Sequence, residues 1–373
     1  MMTRASQAGV VYLALLALWA SQPAFAQDKW KGSIVKEGDV TLVKNPKEPI
    51  YKTPILELKE ELSIGGPEAS GQAVFARMGE FIVDDAGNFY ISDRKEDRIK
   101  VFDNAGRFLR TIGRHGQGPG DLDGIGALSI VGTTGELAVG NVRRDCLTFF
   151  KAKGTYLRDL TYGGRHTNFA VLDSKGNIYG LELYEVTGST RSEVRMVVRD
   201  PKSEHPVILN RTPGADRAQF ELFMPHSVWR LDPSDNLAYG YSKDYEIRFY
   251  EAGSWKLVKR VRKSYDPVPV SDSEKKRYMP KGFGDWPVVM AENHPAFRSF
   301  FLNDTGHLFV ETFEEAGTGL FIHDIFDKNG RLLARMPLKP RGLKISGGKY
   351  YALEEDEDGF QYVKRYAVTW KIK

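Results

Sequence analysis

One cysteine, Cys146, stands in a chain of 373 residues. An intrachain disulfide is therefore excluded, and so is a CxxC redox pair. Cys146 opens the apolar run CLTFF and reads as a buried strand residue rather than a nucleophile. GxSxG, HExxH and S-x-x-K patterns on a catalytic turn are missing too. No long amphipathic helix interrupts the chain. Basic residues form no long run: 53 Lys and Arg are interspersed with 49 Asp and Glu, for a net charge of +4. That pattern argues against nucleic acid as a partner.

A membrane span is also lacking. The one apolar run near the start, Gly9–Ala20, is shorter than the roughly 20 residues a span needs. With Arg4 before it and Ala24-Phe25-Ala26 after it, residues 1–26 read as a signal peptide cleaved after Ala26. No cysteine follows to take a lipid. The mature chain is expected to be periplasmic or secreted, with stability resting on packing and sheet closure.

What is present is a repeat. Residues 81–112 read FIVDDAGNFYISDRKEDRIKVFDNAGRFLRTI, four short strands of alternating polarity joined by Asx/Gly turns. The unit returns at 128, 169, 228, 298 and 342. The first two starts lie 47 residues apart, near the period of a four-stranded propeller blade. The chain is rich in Gly (37), Phe (21) and Tyr (17), which suits an all-β protein of this kind. The expected fold is a six-bladed β-propeller of four-stranded antiparallel blades, occupying 54–373 after an N-terminal lead-in at 27–53. The last unit shows only three strands, and LSIGG at 62–66 echoes LRTIG at 109–113. Residues 55–64 are therefore expected to supply the missing outer strand and close the ring.

In such a ring, the loops between blades share a face with the loops between second and third strands. By analogy with the fold, a ligand is expected there, around the channel. This face would carry Arg94, Arg143, Arg144 and Arg165, which could receive an anionic sugar, a carboxylate or a peptide terminus. Ion pairs between blades are the alternative. The loop Gly113–Leu122 (GRHGQGPGDL) is glycine-rich but no phosphate loop, since neither GK[ST] nor a helix follows. Either it is a structural crossover or it turns Arg114 and His115 toward a ligand. The insertion 264–296 carries prolines 267, 269, 280 and 287, a short helical stretch at Ser271–Tyr278, and the aromatics Phe283 and Trp286. It is expected to be ordered, as a partial lid or as packing against a neighbouring blade.

Four histidines, His115, His166, His226 and His294, fall in or beside inter-blade loops. Three converging imidazoles, as from His115, His226 and His294, could hold zinc. Asp93 and Glu182, near second-strand ends, offer the oxygens calcium would want. Asp93 is equally suited to an ion pair with Arg98 or Lys95. Glu354–Asp358 (EEDED) reads as a solvated turn, and His205, His307 and His323 as strand or turn residues.

Three segments, GNFYISDRKEDRIKVFDNAGRFLRTIGRHGQGPGDL, VKNPKEPIY at 43–51 and LSIGG, together resemble a family of bacterial exported six-bladed β-propellers related to NHL-repeat (TolB-like) proteins. The resemblance implies the same architecture and no settled activity. Related propellers include binding modules and a few metal-dependent lyases and lactonases, whose ligand sets are not matched here. The expected function is a non-catalytic binding or scaffold protein, a monomer, holding a protein, peptide or glycan on its loop face with the help of His226 and Trp286. The expected alternative is a metal-dependent hydrolase or lyase with zinc or calcium at the channel mouth.

Overall fold

The structure is a computed structural model that describes residues 29–372 except 133, 162–169, 201, 204, 280–285, 318, 340 and 341. The expected signal peptide, Arg165, His166 and Phe283 lie outside the described residues.

Six four-stranded antiparallel sheets follow one another in chain order. From the channel outward, blade 1 is Met78–Val83, Phe89–Asp93, Arg98–Phe102 and Phe108–Ile112. Blade 2 is Ile125–Val131, Glu136–Asn141, Cys146–Phe150 and Tyr156–Thr161. Blade 3 is Val171–Leu172, Ile178–Tyr184, Arg191–Arg199 and Val207–Asp216. Blade 4 is Ser227–Leu231, Leu237–Tyr241, Glu246–Tyr250 and Leu257–Lys263. Blade 5 is Ser299–Leu302, Leu308–Glu315, Phe321–Phe326 and Leu332–Leu338. Blade 6 is Gly342–Ser346, Lys349–Glu355, Gln361–Trp370 and, from the start of the chain, Leu56–Gly65. This last strand pairs from Leu56 opposite Trp370 to Gly65 opposite Tyr362.

One device sets the turn after most inner strands. Asp84, Asp173, Asp232 and Asn303 each accept the backbone N–H four residues on, at 2.7–2.9 Å. An Asx side chain thereby satisfies a donor the ladder cannot reach. The core is divided among the blade interfaces. Blades 1 and 2 meet through Ile99, Val101, Leu128 and Val139, and blades 5 and 6 through Phe301, Phe309, Tyr350 and Ala352. Phe301 and Phe309 stack at 4.7 Å. Alternation along each strand sends one set of side chains to each neighbouring blade, so both sheet faces are apolar.

The lead-in is more than a connector. Ser33–Glu37 and Val40–Asn45 form a hairpin, and Val40–Asn45 runs parallel to blade 4's outer strand, making a six-stranded sheet. Asn45, 4% exposed, accepts from Trp30 Nε1 (3.1 Å) and the Leu332 amide (2.8 Å), and donates to the carbonyls of Arg262 (3.1 Å) and Gly330 (2.8 Å). The Tyr51 amide then bonds to the Leu333 carbonyl (2.7 Å), and Ile55 and Leu56 enter the core between blades 5 and 6. Residues 40–56 thus strap blades 4, 5 and 6 together from outside.

The insertion is ordered where described. Ser271 caps the helix Asp272–Tyr278 in a capping box with Glu274, and Val288–Met290 pairs in parallel with Phe220–Leu222. Part of it packs: Phe223 meets Tyr278 and His294, and His294 stacks on Phe313 of blade 5 at 4.3 Å, while Trp286 stays 54% exposed. Packing against a blade, one of the two expected roles, is what these contacts describe.

Candidate functional site

The inner strands surround a cavity of about 850 Å3. Its wall is largely apolar, with Ile82, Val83, Leu128, Ile130, Val171 and Val228 among its residues. Polar groups are few: Glu80, Ser227, Ser299 and Arg230 inside, and Asp84 and Asp85 on the turn after blade 1's inner strand. Asp84–Ala86, Gly132 and Gly135 belong to turns on the face opposite the long loops, so the cavity opens toward the tight-turn face. None of His115, Arg143, Arg144, His226 or Trp286 is among its described lining residues. Arg94 reaches the wall indirectly. It lies over Gly79, where a Cβ would stand 2.5 Å from its Nε, and its NH2 is 3.6 Å from Glu80.

Arg230 is the next-to-last residue of blade 4's inner strand. Its guanidinium donates to the Trp229 carbonyl at 2.8 Å. Burial pushes it below the ordinary arginine value, and Glu80 offsets part of that shift. The sequence gives little warning of this: in VWRLD, Arg230 reads as one more outward residue of an alternating strand.

The loop-face arginines are mostly engaged in holding loops. Arg114 Nε donates to Asp121 Oδ1 at 2.7 Å, while the other Asp121 oxygen accepts the Gly118 amide at 2.9 Å. These two donors hold the Asp121 carboxyl below the usual carboxylate range. Arg144 bonds to Asp159 at 2.7 Å and to the Asp121 carbonyl at 3.0 Å. Gly113 has φ +74°, and a Cβ there would stand 2.4 Å from Leu122 Cδ1. The glycine-rich segment is a folded crossover, the structural one of its two expected roles.

That crossover does bring His115 into a cluster. Its Nδ1 is 2.9 Å from Asp97 Oδ2, and ligand atoms of Asp97, His115 and Asp123 all lie within 4.8 Å of one another. Asp97 can sit there because Asp tolerates the left-handed backbone (φ 48°) that ends the loop. The carboxylate oxygens, however, are already engaged. Asp97 Oδ1 accepts the Gly124 amide at 3.0 Å, and Asp123 accepts from Gln117 and, at 2.7 Å, from Arg143. Arg143, a cation on the same carboxylate, would have to give way to a metal ion. Asp97 and Asp123 were not singled out in the sequence, because their link to His115 spans two blades.

Neither expected metal set, His115 with His226 and His294 or Asp93 with Glu182, is assembled among the described residues. His226 bonds through Nε2 to the Arg298 carbonyl (2.8 Å) and through Nδ1 to Ser242 (3.2 Å). His294 is buried with Nε2 on Glu274 at 3.2 Å. Among the described residues, Asp97, His115 and Asp123 are the one group of three or more His, Cys, Asp or Glu side chains in metal-holding reach. Asp93 is fully buried and accepts the amides of Ala76 (2.9 Å) and Arg77 (3.1 Å). Its ion-pair partner is Lys100 at 3.4 Å, while Arg98 turns to Glu96; the expected pairing with Arg98 or the Lys95 side chain is corrected accordingly. Glu182 sits in a different blade, fully buried and bonded to Arg199 and Tyr184. Cys146 is buried, and that burial pushes its thiol up.

The ring of six sheets around a central cavity defines a six-bladed β-propeller. The chain belongs to the DUF5128 family, described as a 6-bladed beta-propeller, whose model matches residues 78–339. Among solved structures, it is similar to an exported protein of Bacteroides fragilis, at 13% identity and a TM-score of 0.56, over 89% of this chain and all of that one. It is also similar to a member of the duf4221 family from Bacteroides vulgatus, at 11% identity and a TM-score of 0.49, over 84% of this chain and 99% of that one. A gluconolactonase of Xanthomonas campestris gives 13% identity and a TM-score of 0.42, over 76% of this chain and 83% of that one. At these identities the likeness is one of fold. Comparison with curated proteins gave no match. Among the described residues, no helix is long and apolar enough to cross a membrane.

Proposed function

We propose that the protein is an exported, non-catalytic binding propeller whose ligand is a small molecule held in the central channel. The observation that carries this reading is the cavity of about 850 Å3, apolar over most of its wall with a few converging polar groups. That size and lining are typical of small-molecule sites. Export rests on the signal-peptide pattern of residues 1–26 and on the description of the Bacteroides fragilis neighbour. The loop face, expected to hold a protein, peptide or glycan, has its arginines engaged by Asp121, Asp123 and Asp159. The metal-dependent alternative has only the Asp97–His115–Asp123 cluster behind it, and that cluster is closed by its own hydrogen bonds.

The test uses N-phenyl-1-naphthylamine, a neutral apolar probe that fluoresces when it leaves water. The folded protein should bind it saturably at about one equivalent, as one channel per chain requires. Ala127→Trp, which fills the channel wall, should abolish that binding while the thermal transition remains cooperative. Saturable binding that survives Ala127→Trp, or none in the unaltered protein, would overturn the channel reading.

A further inference from the structure

We propose that the channel selects an amphipathic anion, a compound with an apolar body and one carboxylate- or sulfonate-like group, and that Arg230 receives the charged group. This rests on the channel reading and names the ligand class.

The first argument is an omission. Most half-buried arginines among the described residues have carboxylates: Arg94, Arg144, Arg191, Arg195, Arg248 and Arg335 each lie within 4 Å of one, while Arg110 spends its donors on the Ala152 carbonyl and Tyr90. Arg230 has none among the described residues; its guanidinium donates to the carbonyl of its own neighbour, Trp229. A guanidinium carries five donors in a planar fork, so most of its hydrogen-bonding capacity is unspent. A guanidinium half-buried in a largely apolar wall with no carboxylate in contact gains from a counterion. A carboxylate or sulfonate entering the channel would satisfy it with two parallel hydrogen bonds.

The second argument is the local charge balance. Blade 1 lies across the six-membered ring from blade 4, and Glu80 of blade 1 lines the same cavity as Arg230. Glu80 already has Arg94 at 3.6 Å. Arg94 thus answers the Glu80 carboxylate at contact distance, and Arg230 is left without a contacting acid of its own among the described residues. Asp84 is committed to its turn through the Asn88 amide (2.7 Å) and Asn88 Nδ2 (2.8 Å). Asp85 lies at the mouth, where it is exposed and solvent-screened. The apolar wall around Arg230 strengthens its local attraction for an anion.

The third argument is the rest of the wall. Ile82, Leu128, Ile130, Val171 and Val228 offer no hydrogen bonds to a polyol or a peptide backbone. They favour an aliphatic or aromatic body attached to the charged group.

Two probes share one skeleton: 1-anilinonaphthalene-8-sulfonate carries the anion, and N-phenyl-1-naphthylamine does not. In the unaltered protein both should bind in the channel. Arg230→Met should weaken the sulfonate by about tenfold or more, the scale of a lost bidentate charged pair, and change the neutral probe by less than about threefold. Arg230→Gln, which keeps polarity without charge, should behave like Arg230→Met, and Arg230→Lys should recover part of the loss. Circular dichroism and thermal unfolding establish that each variant is folded. If the sulfonate binds Arg230→Met as it binds the unaltered protein, and Ala127→Trp excludes both probes, the anion assignment is overturned and the channel reading survives. If Ala127→Trp excludes neither, both fall.

Discussion

The two halves of the ring are built differently. Blades 4, 5 and 6 are bound from outside by residues 40–56, and the interfaces 4/5 and 5/6 are broad apolar cores that include Val43, Ile50, Tyr51 and Ile55 from that strap. Blades 1, 2 and 3 have no such strap among the described residues. The interfaces 2/3 and 3/4 are smaller clusters, and blade 3's inner strand is only Val171–Leu172. Blades 1 and 2 share an apolar core, and the loop between them is pinned to blade 2 by Arg114, Asp121, Arg144 and Asp159. The difference teaches that a ring of like blades need not be uniformly stable, because an extra peripheral strand adds burial only where it lies. The channel cation is contributed by blade 4, on the strapped side, and the acid that lines the same cavity by blade 1, on the other.

The largest effect should follow from cutting the strap at its hub. Asn45→Ala leaves the Arg262 and Gly330 carbonyls, the Leu332 amide and Trp30 Nε1 without their partner. The expected loss is about 4 kcal/mol, several buried polar groups at roughly 1–3 kcal/mol each with partial relaxation. Urea unfolding measures it, and a cost under about 1 kcal/mol would show that the strap does not distinguish the halves.

A somewhat smaller effect concerns acid. Burial alone would raise the Glu246 carboxyl, but hydrogen bonds from Arg260, Arg248 and Arg262 hold it at about 2, against an ordinary 4.5. Arg260 also reaches Glu37 of the N-terminal hairpin at 2.9 Å. A depressed carboxylate stabilises the fold above its unfolded value, and that contribution is lost as pH falls from about 4.5 through 2. The contribution is about 3 kcal/mol. Glu246→Gln should flatten the pH dependence of stability in that window; an unchanged slope would mean the strapped half owes nothing to this cluster.

The smallest effect separates the halves directly. Cys146, buried in blade 2, should react with a thiol reagent only through local opening of the unstrapped half. Its native labelling rate should be little changed by Asn45→Ala. A rate that rises in step with the loss of global stability would show that the ring opens as one unit.

Much of the fold was legible because its signals are local. The Asp-to-Asn turn at Asp84–Asn88 recurs within five residues, and LSIGG announces the closing strand by echoing LRTIG. The strap was not, since Val40–Asn45 pairs in parallel with a strand more than 200 residues away, as the Asn45–Arg262 bond over 217 residues shows. For the site, Arg94 and His115 were visible as loop residues, yet their partners Glu80, Asp97 and Asp123 depend on how adjacent blades dock. Arg230 was hidden for a different reason. Alternation tells which face of a strand a residue occupies, but an inner strand's edge also borders the channel.

The pairing of Leu56–Gly65 with Gln361–Trp370 also bears on how the molecule is made. Glu60 and Lys364, joined at 2.9 Å, are 304 residues apart, so an early segment must wait for a late one. Such a long-range pairing forms late and slowly compared with the local hairpins. Until then the last sheet stays open-edged and the blades can separate one by one. The ring is therefore latched only once Gln361–Trp370 has been made and can meet Leu56–Gly65.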